Sequence, residues 1–210
     1  MKLYVFPPSP RAMKVIALAE HLQIEHETQL VDLIKGDQMK PEFTALNPNQ
    51  RMPVLEDDGF VLWESNAILQ YLASKKPAGA ALWPSDPRRQ ADVGRWMFWE
   101  ASHWAPACGT LAFERVVKKL LGQGDADPAV VAKGEQEFRR VGGILNSALR
   151  GRKWLAGNDL TLADFAVGPF MALAQIAQYP VAGLTEVARW YDAFAALPGM
   201  KKAVAPLQQR

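Results

Sequence analysis

The 210-residue chain is poor in cysteine and histidine, and its charge is almost balanced. Its single cysteine, Cys108, excludes an internal disulfide, a C-x-x-C redox pair and any multi-cysteine metal cluster. Three histidines, His21, His26 and His103, stand at unrelated spacings and give no metal-ligand pattern. No Walker-type loop and no G-x-G-x-x-G is present, so no nucleotide cofactor is expected. The net charge is only +2, and the 24 Lys and Arg are scattered rather than gathered on one stripe, which argues against a nucleic-acid partner. Charges interrupt every long apolar run, so no segment approaches the roughly 20 residues of a membrane span. The chain opens Met1-Lys2-Leu3-Tyr4-Val5-Phe6 and meets proline at once, without the hydrophobic region of a signal peptide. The expectation is a cytoplasmic protein without metal, nucleic-acid or membrane partners.

What is present is a 49% hydrophobic composition on a length that suits one large domain or two small ones. Residues 3–6 form a short apolar run suited to a buried strand, followed by the turn Pro7-Pro8-Ser9-Pro10. Ala12, Val15, Ile16, Ala19 and Leu22 then fall on one helical face, with Pro10 at the first helical position, where its missing N–H costs nothing. Residues 28–33 read as a second strand, residues 35–49 as a polar segment, and a hairpin with Asp57-Asp58-Gly59 at its turn leads into a helix from Ser65 to about Ser74. The order strand, helix, strand, then strand, strand, helix is that of a thioredoxin-like α/β unit, expected over residues 1–75. Proline and glycine cluster over a linker at 76–87. Residues 88–210 read as an all-α bundle, with helical segments near 88–121, 129–150, 161–175 and 186–196.

Two stretches carry chemistry. In Asn47-Pro48-Asn49-Gln50-Arg51-Met52-Pro53-Val54-Leu55, the Met52-Pro53 bond is of the kind that takes the cis form at a cost of only about 0.5 to 1 kcal/mol. A kink there would turn the Met52 N–H and C=O outward to pair with an extended peptide, as an added strand does. In Trp63-Glu64-Ser65-Asn66-Ala67-Ile68, Ser65 falls at a helix N-cap, where free N–H groups and the helix dipole favour a carboxylate. A proline can also begin a strand for packing alone, and a serine can cap without binding anything. The order and spacing of the two stretches point to a site for glutathione, an extended peptide with terminal carboxylates. A third stretch, Thr161-Leu162-Ala163-Asp164, is a variant capping box with Asp in place of Glu or Gln; Asp164 as a catalytic acid is the alternative.

Asn47-Pro48, Met52-Pro53, Glu64-Ser65 and Thr161 to Asp164 together resemble the soluble glutathione transferase family over nearly the whole chain, most closely its bacterial-like members with a Ser-Pro loop. The resemblance implies a thioredoxin-like N-terminal domain, a helical C-terminal domain, a homodimer and a role in detoxification. It makes glutathione a co-substrate, with Gln38 at the glycyl end, Arg51, Met52 and Pro53 at the cysteinyl part, and Glu64 and Ser65 at the γ-glutamyl end. Gln50 departs from the family, many of whose members have glycine there. An apolar electrophile site is implied between the domains, with Pro7, Pro8, His103, Trp104, Cys108 and Phe113 as walls. Trp104 and Cys108, four residues apart, share a helix face that can equally be core.

The reaction needs the glutathione thiolate, because the thiolate and not the thiol is the nucleophile. Lowering a thiol pKa by about 2 units takes roughly 2.7 kcal/mol of preference for the charged form. A hydrogen bond to a charged group supplies roughly 1.5 to 3 kcal/mol and a helix N-terminus about 0.3 to 1. Ser9, in the Pro8-Ser9-Pro10 loop before the first helix, is the candidate donor; tyrosine-using classes place theirs near Val5, and Tyr4 should face the other way. Arg11 is the rival, acting by charge. A cap role for Ser9 is compatible with the catalytic one. A serine, unlike a cysteine, cannot form a mixed disulfide. The expected activity is conjugation of glutathione to small hydrophobic electrophiles; peroxide reduction, isomerisation or a non-catalytic carrier role are the alternatives.

Overall fold

The computed structural model describes residues 1–208. Its chain packs as two units, residues 1–84 together with 196–208, and residues 85–195. In the first, β1 (Lys2–Val5), α1 (Pro10–His21) and β2 (Glu27–Leu30) form a parallel crossover; α2 (Pro41–Leu46) follows, then β3 (Val54–Asp57), β4 (Phe60–Trp63), α3 (Ser65–Ser74) and the short α4 (Gly79–Leu82). The four strands make one mixed sheet in the order β2-β1-β3-β4, with β1 parallel to β2 and antiparallel to β3. The β3–β4 hairpin turns on Asp58 (φ 49°) and Gly59 (φ 81°), the two consecutive positive-φ residues that match the twist of paired strands.

Alternation along β1 buries Leu3 and Val5 completely, and Val15 and Leu18 of α1 and Ile68 and Leu72 of α3, two helices that pack on each other, are fully buried as well. Tyr4 points the other way, with its hydroxyl donating to Glu56 at 2.7 Å and its ring edge-on to Phe43 of α2. The second strand is shorter than expected: Asp32 ends it, accepting from the Ile34 N–H at 2.9 Å while its own N–H donates to the Asp37 carboxylate. Local side-chain bonds of this kind compete with a strand ladder. Helix α2 was not foreseen in the polar segment; Pro41 opens it and Phe43 is its one buried residue.

The second unit is helical throughout. A continuous stretch runs from α5 (Pro87–Trp99) through a π-helical turn (Glu100–Trp104), α6 (Ala105–Ala112) and a second π turn (Phe113–Val117) to α7 (Lys118–Leu120). Next come α8 (Pro128–Ala148), α9 (Leu162–Val167), a 3₁₀ stretch (Gly168–Leu173) and α10 (Thr185–Ala195). Trp104, Phe138, Phe165, Trp190 and Phe194 fill its core. The capping box lies at the start of α9: Asp164 accepts from the Thr161 N–H at 3.0 Å, from the Leu155 N–H at 3.0 Å and from Trp190 Nε1 at 2.9 Å.

The final helix, α11 (Pro198–Gln208), was expected to belong with the bundle and instead packs on α1. The reason is local. Gly199 sits so close to α1 that a Cβ there would lie 2.3 Å from the Ala17 carbonyl oxygen, and Lys202 pairs with Glu20 at 2.5 Å.

Candidate functional site

The first unit holds a cavity of about 570 Å³, within the range of small-ligand sites. Four segments build it. The start of α1 contributes Ser9 and Arg11, the 3₁₀ turn Asp37–Met39 contributes Gln38, the loop into β3 contributes Arg51, Met52 and Pro53, and the start of α3 contributes Glu64 and Ser65. These eight are the residues proposed from sequence for catalysis and for glutathione.

Ser9 is the N-cap of α1, yet its side chain makes no capping bond. The backbone holds it: its N–H donates to the Phe6 carbonyl at 2.8 Å, and its carbonyl accepts from the Ala12 and Met13 N–H groups at 2.9 Å each. The hydroxyl is therefore carried on a fixed backbone without being spent on the helix. Arg11 follows on the exposed side of the first turn.

Met52-Pro53 is cis, and the registered pairs of the sheet begin only at Val54, which leaves Met52 outside the ladder. Asn47 shapes the loop that leads there. It is buried, its Nδ2 donates to the Arg51 carbonyl at 2.6 Å, and its Oδ1 accepts from the Asn49 N–H and Nδ2 at 3.0 Å each. Gln50, the departure from the family pattern, has φ 56°. The residue differs but the left-handed backbone that favours glycine is kept.

Ser65 is not the N-cap. Glu64 takes that place with φ 70° and ψ 108°, no side chain caps α3, and Ser65 is its first residue, 5% exposed. The first in-helix bond is from the Ile68 N–H to the Glu64 carbonyl at 3.0 Å. The helix thus opens toward the cavity through an N-terminus that no side chain covers, and a non-glycine residue in the left-handed region borders it. Such backbone strain clusters at ligand sites. In the same cavity, Gln38 Oε1 is buried without a hydrogen-bond partner among the described residues, an acceptor awaiting a donor.

Tyr4 lines a different cavity, with Phe43 and Glu56, and its hydrogen bond to Glu56 pushes its pKa up to about 12. It is removed from the Ser9 site by the alternation of β1. The residues expected at an electrophile site lie apart in character. Pro8 is half-buried beside Ser9, and His103 is exposed in the first π turn. Trp104 is fully buried, stacked on Trp99 and donating to the Val167 carbonyl at 3.2 Å. Cys108 is also fully buried, which pushes its thiol pKa well up. These two are core residues of the helical unit and present no surface to a ligand. Asp164 is likewise buried in that unit and does not line the Ser9 cavity, which fits its capping role. Among the described residues no cluster of His, Cys, Asp and Glu can hold a metal, and no helix is long and apolar enough to cross a membrane.

Leu33, Met39 and Asn49 also line the cavity and were not foreseen. Leu33 and Met39 carry no polar signature. For Asn49, the preceding Asn-Pro pair, a common turn signal, was the available clue.

A small mixed sheet with a cis-proline loop and an open helix N-terminus, followed by an all-helical unit, defines a protein of the thioredoxin-like plus helical-bundle class. Family models agree: residues 1–74 match the N-terminal domain of glutathione S-transferase and residues 104–198 its C-terminal domain. Glutathione S-transferase 3 of Zea mays is 36% identical over 212 residues, covering 99% of this chain and 94% of the relative. Glutathione S-transferase D7 of Drosophila melanogaster is 31% identical over 215 residues, covering 100% and 91%. Among solved structures, a glutathione transferase of Pseudomonas putida, determined with one glutathione disulfide bound per subunit, superposes with TM-score 0.86 at 26% identity, covering 97% of this chain and 90% of that one. The chain belongs to the glutathione transferase family and is a transferase.

Proposed function

We propose that the protein activates glutathione in the cavity of its first unit and transfers the thiolate to a small hydrophobic electrophile, acting as a cytoplasmic homodimer. One observation carries the reading: the eight candidate residues, from four segments up to 56 positions apart (65 − 9), line one cavity. Its charges are two cations, Arg11 and Arg51, and one carboxylate, Glu64. Glutathione carries the complement, two carboxylates and one ammonium. The relative from Pseudomonas putida that holds glutathione disulfide supports the same ligand class.

In this reading the γ-glutamyl carboxylate lies at the start of α3 and is held by the Ser65 hydroxyl and the helix N–H groups, while Glu64 takes the ammonium. The cysteinyl backbone pairs with Met52 as an added strand. Gln38 Oε1 accepts an N–H near the glycyl end. The sulfur lies at Ser9, whose hydroxyl donates to the thiolate; the thiol proton leaves to solvent, the C–S bond forms at the electrophile, and the leaving group departs with its electron pair. A carrier that binds glutathione without ionising it is the alternative, and the uncommitted Ser9 hydroxyl weighs against it.

The test is the ultraviolet difference spectrum on adding glutathione at neutral pH. A thiolate band in the wild type that vanishes in Ser9→Ala is the expected result. A band that survives moves activation to Arg11 or to backbone N–H groups, and a wild type without a band favours the carrier.

A further inference from the structure

Lys14 has no part in the cavity wall, yet it is the only lysine among the described residues in the buried core, with 0% exposure. It lies on α1 one turn beyond Pro10 and Arg11, and its Nζ donates to Asn66 Oδ1 at 2.9 Å. Asn66 is the residue after Ser65, in the first turn of α3. This contact therefore spans the two helices whose N-termini border the cavity, one bringing Ser9 and the other Glu64 and Ser65.

A lysine side chain is costly to bury, and an aliphatic residue of similar length would fill the same space without that cost. Its presence calls for work that packing alone does not supply. The tie acts at a helix start that has no side-chain cap. Glu64 is held at φ 70°, no side chain caps α3, and the first in-helix bond comes only at Ile68. A residue held in that region persists only when its surroundings over-determine it.

We propose that Lys14 is a positioning residue for the γ-glutamyl end of the site. Through Asn66 it fixes the first turn of α3 against α1, and so sets Glu64 and Ser65 relative to Ser9. This rests on the glutathione reading above. The effect belongs to binding, since the start of α1 is held independently by the backbone bonds of Ser9 to Phe6, Ala12 and Met13, and loss of the tie frees the α3 end of the cavity.

The experiment is steady-state kinetics and equilibrium binding of glutathione by wild type, Lys14→Met, Asn66→Leu and Asn66→Asp. Lys14→Met should raise the glutathione KM and Kd about tenfold or more, with kcat at saturating glutathione within about threefold of wild type. Asn66→Leu should reproduce that pattern from the other end of the tie, which keeps the test decisive if Lys14→Met does not fold. Asn66→Asp, which keeps an acceptor for Nζ, should bind within about threefold of wild type. The proposal is overturned if kcat falls while KM holds, if Asn66→Leu binds like wild type, or if Asn66→Asp is as weak as Asn66→Leu. A wild type that binds no glutathione overturns the functional reading instead, and the two failures are told apart by that control.

Discussion

Asn47 reaches across its own loop to the Arg51 carbonyl, 2.6 Å from its Nδ2, and by doing so sets the approach of the chain to Met52 and Pro53. With Asn49 on its other end it makes three side-chain bonds while only 2% exposed. Replacing it by alanine removes those bonds and strands their partners, at a net cost of about 1 kcal/mol for each, or about 2 to 3 kcal/mol in all. Asn47→Ala is expected to lower the denaturant midpoint accordingly and to weaken glutathione binding. An unchanged Kd would separate the loop from the site.

Ser9→Ala should lower kcat/KM at pH 7 by roughly ten- to a hundredfold, the loss expected for one hydrogen bond to a charged group of about 1.5 to 3 kcal/mol. The bound thiol then ionises at higher pH, so the deficit should shrink as the assay moves from pH 7 to pH 9. A deficit constant with pH would show that Ser9 does something other than favour the thiolate. Loss of activity in Arg11→Ala with Ser9→Ala near wild type would transfer the role to the cation.

Gln50 occupies left-handed backbone at φ 56°, and its side chain makes a long bond to Thr44, 3.4 Å. Left-handed backbone costs an L residue roughly 1 to 2 kcal/mol, and glycine gives back roughly 0.5 to 1 through the unfolded chain. Gln50→Gly is expected to stabilise by up to about 1 kcal/mol in urea unfolding; a destabilised variant would refute the strain argument.

Asp164 is held by burial at a pKa of about 6, against hydrogen bonds from Leu155, Thr161 and Trp190 that pull it down. Its ordinary value is 3.8, so the folded state binds the proton more tightly than the unfolded chain does. The stability contributed is complete below about pH 4 and is lost as the pH rises through about 6, a change on the order of 3 kcal/mol. Asp164→Asn cannot titrate. Its penalty relative to wild type should therefore be largest at pH 4 and shrink toward pH 7; a penalty that grows with pH would place the folded carboxyl below its ordinary value.

Thr161→Ala is expected to cost about 1 kcal/mol, the usual value of a helix cap. A variant with the denaturant midpoint of the wild type would defeat the structural reading of that motif.

What could be read from sequence followed from strong local rules. Pro10 fixed the start of the first helix, Asp58-Gly59 the hairpin, and Glu64-Ser65 the start of α3 to within one residue. That one residue matters: Ser65 was expected at the cap, but Glu64 holds it, because the chain turns through positive φ there and propensity does not foresee a glutamate in that conformation. Lys14 carries no signal in the sequence, since it falls among the apolar positions of an amphipathic helix, where a lone lysine looks like a solvated edge. Trp104 and Cys108 share a face as expected, but only packing decides whether such a face meets a ligand or a core.

The return of α11 to α1 makes the helical unit, by topology, an insertion within the first unit. During synthesis the strands, α1 and α3 emerge long before their last packing partner does. The flank of α1 at Ala17, shaped to receive Gly199, stays uncovered until residues 85–195 have followed. The unit that carries the site is thus the first to begin and the last to be completed, and a fragment cut at residue 84 would lack a helix that belongs to it.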